Sequence, residues 1–263
     1  MSVPSGEQQS RRYPARLVSL SRLWLAQLVR APSDPQREAA ARQMRRQMAW
    51  LLALGAVVIV ALMTGFDATE IGWMPPRGTP SLWSVRILTD FGKDAYVLWT
   101  LAGLLLAIAL VVPLSRAATR HRLQRLGVDV QYLFLAVALP VAAAQIVKWA
   151  VGRGRPFVGG KADAFNFAPF NGSEAYFSLP SGHAVTAFAL AFGVAAVWPR
   201  ARIAMAVYAV VIAMTRLVLL AHHPSDVVAG AVIGVVGAIG VRHWFAARRL
   251  GFAIGAKGEI APL

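Results

Sequence analysis

The chain has 263 residues, 57% of them hydrophobic, and a mean hydropathy of +0.54; this excludes an ordinary soluble domain and leaves room for several membrane spans. Its 27 basic residues, 23 of them arginine, outweigh 12 acidic ones for a net charge of +15, which suits nucleic acid, anionic lipid or phosphate; nucleic acid is the weaker reading, because the cations lie between apolar runs and build no known reading motif. Cysteine is absent, which removes disulfides, thiolate metal sites and a cysteine nucleophile.

Residues 1–47 read as a basic cytoplasmic segment with nine arginines, among them Arg42, Arg45 and Arg46. This segment is far longer than the n-region of a cleavable signal peptide, and none is expected. Within it, Arg16 to Arg30 is amphipathic when wound at about 100° per residue. Leu17, Val18, Leu20, Trp24, Leu25, Leu28 and Val29 share one side, and Arg16, Ser19, Arg22, Gln27 and Arg30 the other. Such a helix would lie on an anionic leaflet; a disordered basic tail is the alternative.

Six apolar runs follow within residues 48–246: Met48–Phe66, Ala95–Leu114, Val128–Trp149, Gly182–Trp198, Arg202–Ala221 and Asp226–Trp244. A bilayer core of about 30 Å takes roughly 20 apolar helical residues, so the expected fold is all-α, an integral membrane bundle of six transmembrane helices. Excess Lys and Arg marks cytoplasmic loops. Arg116, Arg120, Arg122 and Arg125, then Arg200 and Arg202, then Arg242, Arg248, Arg249 and Lys257 in or near the tail 247–263 put both termini in the cytoplasm. The Asp67–Asp94, Arg153–Ser181 and Ala221–Ser225 loops then face outward. The second of these is basic near its start, with Arg153, Arg155 and Lys161, against the rule, so these charges have another job.

Polar residues cluster at three span ends on that outer face, where burying charge is expensive. In "KWAVGRGRP", Lys148 ends the third span and Arg155 follows seven residues later; Gly152, Gly154 and Pro156 break the helix and let Arg155 fold back. Both side chains can bind phosphate oxygens, although a snorkelling lysine beside a basic loop fits this piece alone. In "LPSGHAV", Ser181 is placed to cap the fourth span, Gly182 admits a ligand to the backbone, and His183 lies in the first turn, where the helix dipole favours an anion. A capped helix with a surface histidine fits as well. In "TRLVLLAHHPSDVV", Pro224 suits the first turn of the sixth span, placing Asp226 in that turn and His222 just ahead. The Asp226 carboxylate can accept the Nδ1 hydrogen of His222, leaving the Nε2 lone pair free for nucleophilic attack; an interfacial histidine beside a capping aspartate is the bland alternative. His223 points elsewhere and reads as an interfacial or capping residue. A metal site does not suit these residues: there is no His-Glu-x-x-His pattern, and Lys148, Arg155 and Arg216 would repel a cation. No cofactor is expected.

Taken in order, Lys148-x6-Arg155-Pro156, Pro180-Ser181-Gly182-His183 and Arg216-x5-His222-x3-Asp226, separated by 23 and 32 residues, resemble the three-part signature of the phosphatidic acid phosphatase type 2 superfamily. The departure is Thr215, where the family usually has serine. The resemblance implies that His222 attacks phosphorus to form a phosphohistidine. Asp226 would orient His222, and His183 would protonate the leaving group and then activate water. Lys148, Arg155, Arg216 and the Ser181–Gly182 region would bind the phosphoryl oxygens. It also implies a metal-independent membrane lipid phosphate phosphatase; the arginine distribution sets the site at the outer face, the Arg- and Ala-rich composition and compact loops point to a bacterial inner membrane, and six spans argue against the soluble haloperoxidase branch. Phosphatidic acid, phosphatidylglycerol phosphate, undecaprenyl diphosphate and lipid A phosphates are the candidate substrates. A phosphotransferase with the same intermediate, or a non-catalytic lipid-phosphate binding or transport protein, are the alternatives. Headgroup choice is expected to reside in the Asp67–Asp94 and Lys161–Phe177 loops.

Overall fold

The computed structural model describes residues 6–160 and 162–263, with side chains from Tyr13 onward except Arg16 and Lys161. The expected roles of Lys161 and of the Arg16 side chain therefore lie outside the described residues. The helices, in chain order, are α1 Gly6–Val29, α2 Arg37–Gly65, α3 Asp67–Ile71, α4 Trp83–Asp90, α5 Asp94–Val111, α6 Ala117–Val151, α7 Gly182–Val197, α8 Arg202–Val218 and α9 Pro224–Ala247.

Five segments, containing α2, α5, α6, α8 and α9, are long and apolar enough to cross a membrane; α7, at 16 residues, is a shorter apolar helix. The chain is a multi-pass helical membrane protein, and the six expected runs all fall on these elements. Their ends differ from expectation. α2 starts at Arg37 and α6 at Ala117, each well before its apolar run, because hydropathy stops where the arginines begin whereas helical hydrogen bonding does not, and arginine is a good helix former.

α7 and α9 form the middle of the bundle. They approach so closely that a Cβ on Gly230 would stand 2.5 Å from the Ser181 carbonyl oxygen, and one on Gly234 2.5 Å from that of Val185. Small residues thus let two backbones touch, and Ala184, Ala187 and Ala189 of α7 are fully buried. Apolar side chains such as Trp99, Leu106, Ile146 and Ile203 point outward, as in a protein whose solvent is lipid.

α1 and the segment after α9 are both tied to this bundle. Leu20, Trp24 and Leu28 of α1 pack on its core, while Val18, Leu25 and Val29 stay exposed, so part of the expected leaflet-facing side covers protein instead. The segment after α9 carries a two-stranded antiparallel hairpin, β1 Phe252–Ile254 with β2 Ile260–Pro262, a small exception to the all-α expectation. Its Phe252 ring stacks edge-on against Tyr132 at 4.8 Å.

Candidate active site

The three polar clusters meet at one end of the bundle. α6 ends at Gly152, whose left-handed backbone (φ 56°) turns the chain back over the helix end; a Cβ there would collide with the Ala168 carbonyl at 1.9 Å. The 153–178 loop is then pinned by main-chain bonds, Gly154 N to Asn166 O at 2.8 Å, Arg155 N to Ala175 O at 2.9 Å and Ser178 N to Arg153 O at 3.0 Å. The starts of α7 and α9 are joined by Ser181 N donating to Asp226 O at 2.9 Å.

Asp226 does not touch His222 as the spacing suggested: its Oδ2 stands 3.9 Å from Nδ1. That oxygen is occupied by the Ser178 hydroxyl at 2.5 Å and the His223 backbone N–H at 2.9 Å. The other, Oδ1, accepts from Arg153 Nη1 at 2.7 Å. The partner of His222 Nδ1 is instead the Ser178 carbonyl, at 2.9 Å. A carbonyl only accepts, so Nδ1 carries the hydrogen and Nε2 the lone pair. The expected tautomer is reached by a different route, with Asp226 steadying Ser178 and Ser178 steadying the ring. Burial first, then the charges of Arg216, Arg155 and Lys148, hold the His222 imidazole well below its ordinary value of 6.5, so the free site keeps it neutral.

Arg153, whose charge broke the loop-sign rule, is fully buried. It donates from Nη1 to Ser225 Oγ at 2.6 Å and to Asp226, and from Nη2 to Asp67 Oδ2 and the Ala164 carbonyl, both at 2.7 Å; Nε also reaches Ala164 O at 3.0 Å. Asp67 in turn accepts from both the backbone N–H and the hydroxyl of Ser225. This clamp was missed as a site feature; its one trace in the sequence was the misplaced charge.

The remaining side chains leave donors free. Arg216 gives Nη1 to Thr89 Oγ1 at 2.8 Å, and Thr89 shares a 2.9 Å hydrogen bond with Thr215, but the buried Nε of Arg216 has no partner. Arg155 makes a 3.5 Å ion pair with the exposed Glu174, and its Nε is likewise buried and unpartnered. Ser181 is the N-cap residue of α7, yet its side chain makes no capping bond and its buried hydroxyl is free. His183 Nε2 is also buried without a partner, and its ring backs against Gly92, where a Cβ would lie 3.4 Å from Cδ2. A Cβ on Gly182 would stand 3.1 Å from Lys148 Nζ, so what approaches that glycine is the ammonium group. Lys148, Arg155, Arg216 and His183 all act electrostatically on His222. Every sequence-predicted residue is thus in one place; Thr89, Arg153, Asp67 and Ser178 are added to them.

An apolar bundle carrying a buried neutral imidazole among three cations defines a class, the membrane phosphatases of the PAP2 superfamily, and residues 129–250 match that family. The chain belongs to the PAP2 superfamily and is a membrane lipid phosphatase, a phosphoric ester hydrolase. It is 35% identical over 193 residues to a lipid A 1-phosphatase of Rhizobium johnstonii, covering 73% of this chain and 77% of that one. Against a lipid A 1-phosphatase of Rhizobium etli it is 33% identical, with 73% and 81% covered. A transmembrane PAP2-type phosphatidylglycerolphosphate phosphatase of Bacillus subtilis shares the fold, with a TM-score of 0.53 and 18% identity over 74% of this chain and 93% of that one.

Proposed function

We propose that this enzyme removes the 1-phosphate of a lipid A-type glycolipid through a phosphohistidine on His222, without a metal ion. The observation that carries the mechanism is the set of buried unpaired donors near that ring, the Nε atoms of Arg155 and Arg216 and the Ser181 hydroxyl, with the Lys148 ammonium beside Gly182. An unpaired buried donor is costly, and the group that satisfies several at once is a multiply charged oxyanion. The Nε2 lone pair of His222 attacks phosphorus. The bond from phosphorus to the lipid oxygen breaks, its electron pair stays on that oxygen, and His183 supplies the proton. His183 then takes a proton from water, whose oxygen attacks phosphorus, breaks the N–P bond and frees inorganic phosphate. Asp226 positions His222 through Ser178.

The metal-free reading is supported by charge. Arg216, Arg155 and Lys148 all bear on the His222 ring as positive charges, and among the described residues no three His, Asp or Glu side chains gather as ligands. The substrate class is supported by the two rhizobial relatives. A groove of about 680 Å³ lined by Ile87, Phe91, Tyr96, Trp99, Leu101 and Leu190 opens beside the turn that backs His183. That is the leaving-group side, so the groove is where the hydrocarbon of the substrate would lie. Basic extensions of α2 and α6 at the far end of the bundle support a cytoplasmic assignment for that end, and with it our reading of a site on the periplasmic face of the inner membrane.

The test is phosphate release from lipid A in detergent with EDTA present. Wild type is expected to be active and to trap a phosphohistidine on acid-free quench. His222→Ala is expected to lose at least a thousandfold and to trap none. Retained activity in His222→Ala, or strict dependence on a divalent ion, refutes the mechanism; brisk turnover of other lipid phosphates with none of lipid A refutes the substrate.

A further inference from the structure

At the end of the bundle away from the active site, α2 and α9 enclose a groove of about 700 Å³. Its rim holds two guanidiniums, Arg46 of α2 and Arg242 of α9, with Gln47 and Trp50; its wall is apolar, with Phe192 and Ile239. Arg242 lies sixteen residues along α9 from Asp226, about 24 Å at 1.5 Å per residue. In a bilayer core of about 30 Å, that is near the opposite headgroup layer, where tryptophans such as the exposed Trp50 gather.

Arg46 and Arg242 stand on different helices, and among the described residues neither is ion-paired. Arg242 lays its guanidinium over the Phe192 ring at 4.9 Å, and its buried Nε has no hydrogen-bond partner. Two guanidiniums thus line one groove with no carboxylate ion-paired to either, so an anion entering it meets donors and no competing negative charge. α2 packs along α9, with Gly55 against Val232, yet of its 29 residues only Ala40 and Gly55 are buried, so the rest of its surface, the groove side included, is open to lipid. The anion must also suit an apolar wall, which free phosphate does not.

We propose that this groove binds one anionic phospholipid, its phosphate bridging Arg46 and Arg242 and an acyl chain lying along Phe192 and Ile239. Arginine forks match phosphate oxygens, and basic pockets between membrane helices hold acidic headgroups in this way. The site is separate from the catalytic one and does not depend on the mechanism proposed for it.

The experiment is native mass spectrometry of the full-length protein from detergent supplemented with phosphatidylglycerol or, in parallel, phosphatidylcholine, with melting temperature as a second readout. Wild type is expected to retain one phosphatidylglycerol per chain, to prefer it over phosphatidylcholine at least fivefold, and to melt higher with it. Arg46→Gln and Arg242→Gln should each lower that occupancy at least fivefold and abolish the melting shift, while Arg46→Gln keeps its phosphate release. Arg46 is exposed, so its variant preserves the test if Arg242→Gln does not fold. Equal retention of both lipids, unchanged occupancy in Arg46→Gln, or an Arg46-dependent melting shift with inorganic phosphate equal to that with phosphatidylglycerol would overturn the proposal.

Discussion

Replacing Ser178 by alanine separates the two ways in which Asp226 could serve His222. The substitution removes one bond, from the Ser178 hydroxyl to Asp226 Oδ2 at 2.5 Å, and leaves the Ser178 carbonyl on Nδ1. Hydrogen bonds to a charged group contribute about 1.5–3 kcal/mol. Here the carboxylate oxygen keeps the His223 N–H at 2.9 Å, so no acceptor is orphaned and the lower value applies. If all of it is felt at the transition state, about 1.5 kcal/mol is roughly a tenfold loss of kcat. Ser178 makes its hydrogen bonds to Asp226, His222 and Arg153 and none to Lys148, Arg155 or Arg216, so KM should stay within about twofold, the pattern of a group that acts only in the chemical step. The assay is steady-state phosphate release in detergent over a range of lipid phosphate, with melting temperature confirming the fold. An unchanged kcat, or a rise in KM alone, would refute the reasoning that the Asp226–Ser178 contact steadies the nucleophile.

Arg153→Met is expected to destabilise the protein by about 3–5 kcal/mol, because it strands the buried Asp67 and Asp226 carboxylates; a chemical denaturation midpoint within error of wild type contradicts this. His222 is held well below 6.5, so kcat/KM should show no acid limb near pH 6.5 in wild type. A limb near pH 6.5 in wild type would mean that the ring titrates normally and is not held down by burial and its cationic neighbours. The same shift works against stability in acid: below about pH 6.5 the unfolded chain binds a proton that the folded site refuses, so folding weakens as pH falls. Glu70 is the opposite case. Burial, then the charge of Asp67, raises it to about 7, so the folded protein holds a proton between pH 4.5 and 7 that the unfolded chain releases, and stability falls as pH rises through that window. Glu70→Gln should therefore raise the melting temperature at pH 8 and leave it nearly unchanged at pH 5; equal shifts at both would exclude burial of a titrating carboxyl.

What the sequence made legible was what depends on spacing along one element or on charge at span ends. Lys148, Arg155, His183, Arg216 and His222 could be brought to one face from hydropathy and loop sign alone, and they meet there. Contacts between distant segments could not be read. His222 and Asp226 are four apart, but α9 begins only at Pro224, so the spacing of four is not a helical turn and does not bring the side chains face to face. The residue that intervenes, Ser178, comes from 44 positions away. Arg153 lies two residues before Arg155 with no periodic pattern to send one inward and leave the other part-exposed. Only the pinned loop decides that, through the bonds of Arg153 and Arg155 main-chain atoms to Ser178 and Ala175. Thr89 was equally silent, one of two hydroxyls on a short amphipathic helix.

The indirect placement of Asp226 has a chemical consequence. In the proposed mechanism, Nε2 bonds to phosphorus while Nδ1 keeps its hydrogen, so the ring becomes cationic, and Lys148, Arg155 and Arg216 oppose that charge. At 3.9 Å and an effective dielectric constant near 20, a carboxylate attracts a unit positive charge by about 4 kcal/mol. Arg153, bonded to the far oxygen, cancels part of this but is itself offset by Asp67. The layer behind the ring thus holds two carboxylates against one guanidinium, and the layer in front holds three cations. A neutral ring is indifferent to the excess negative charge behind it, whereas a phosphorylated ring is stabilised by it. On the proposed mechanism Asp226 would therefore contribute by charge at a distance as well as through Ser178, and losing the charge should slow the enzyme more than losing the Ser178 hydroxyl.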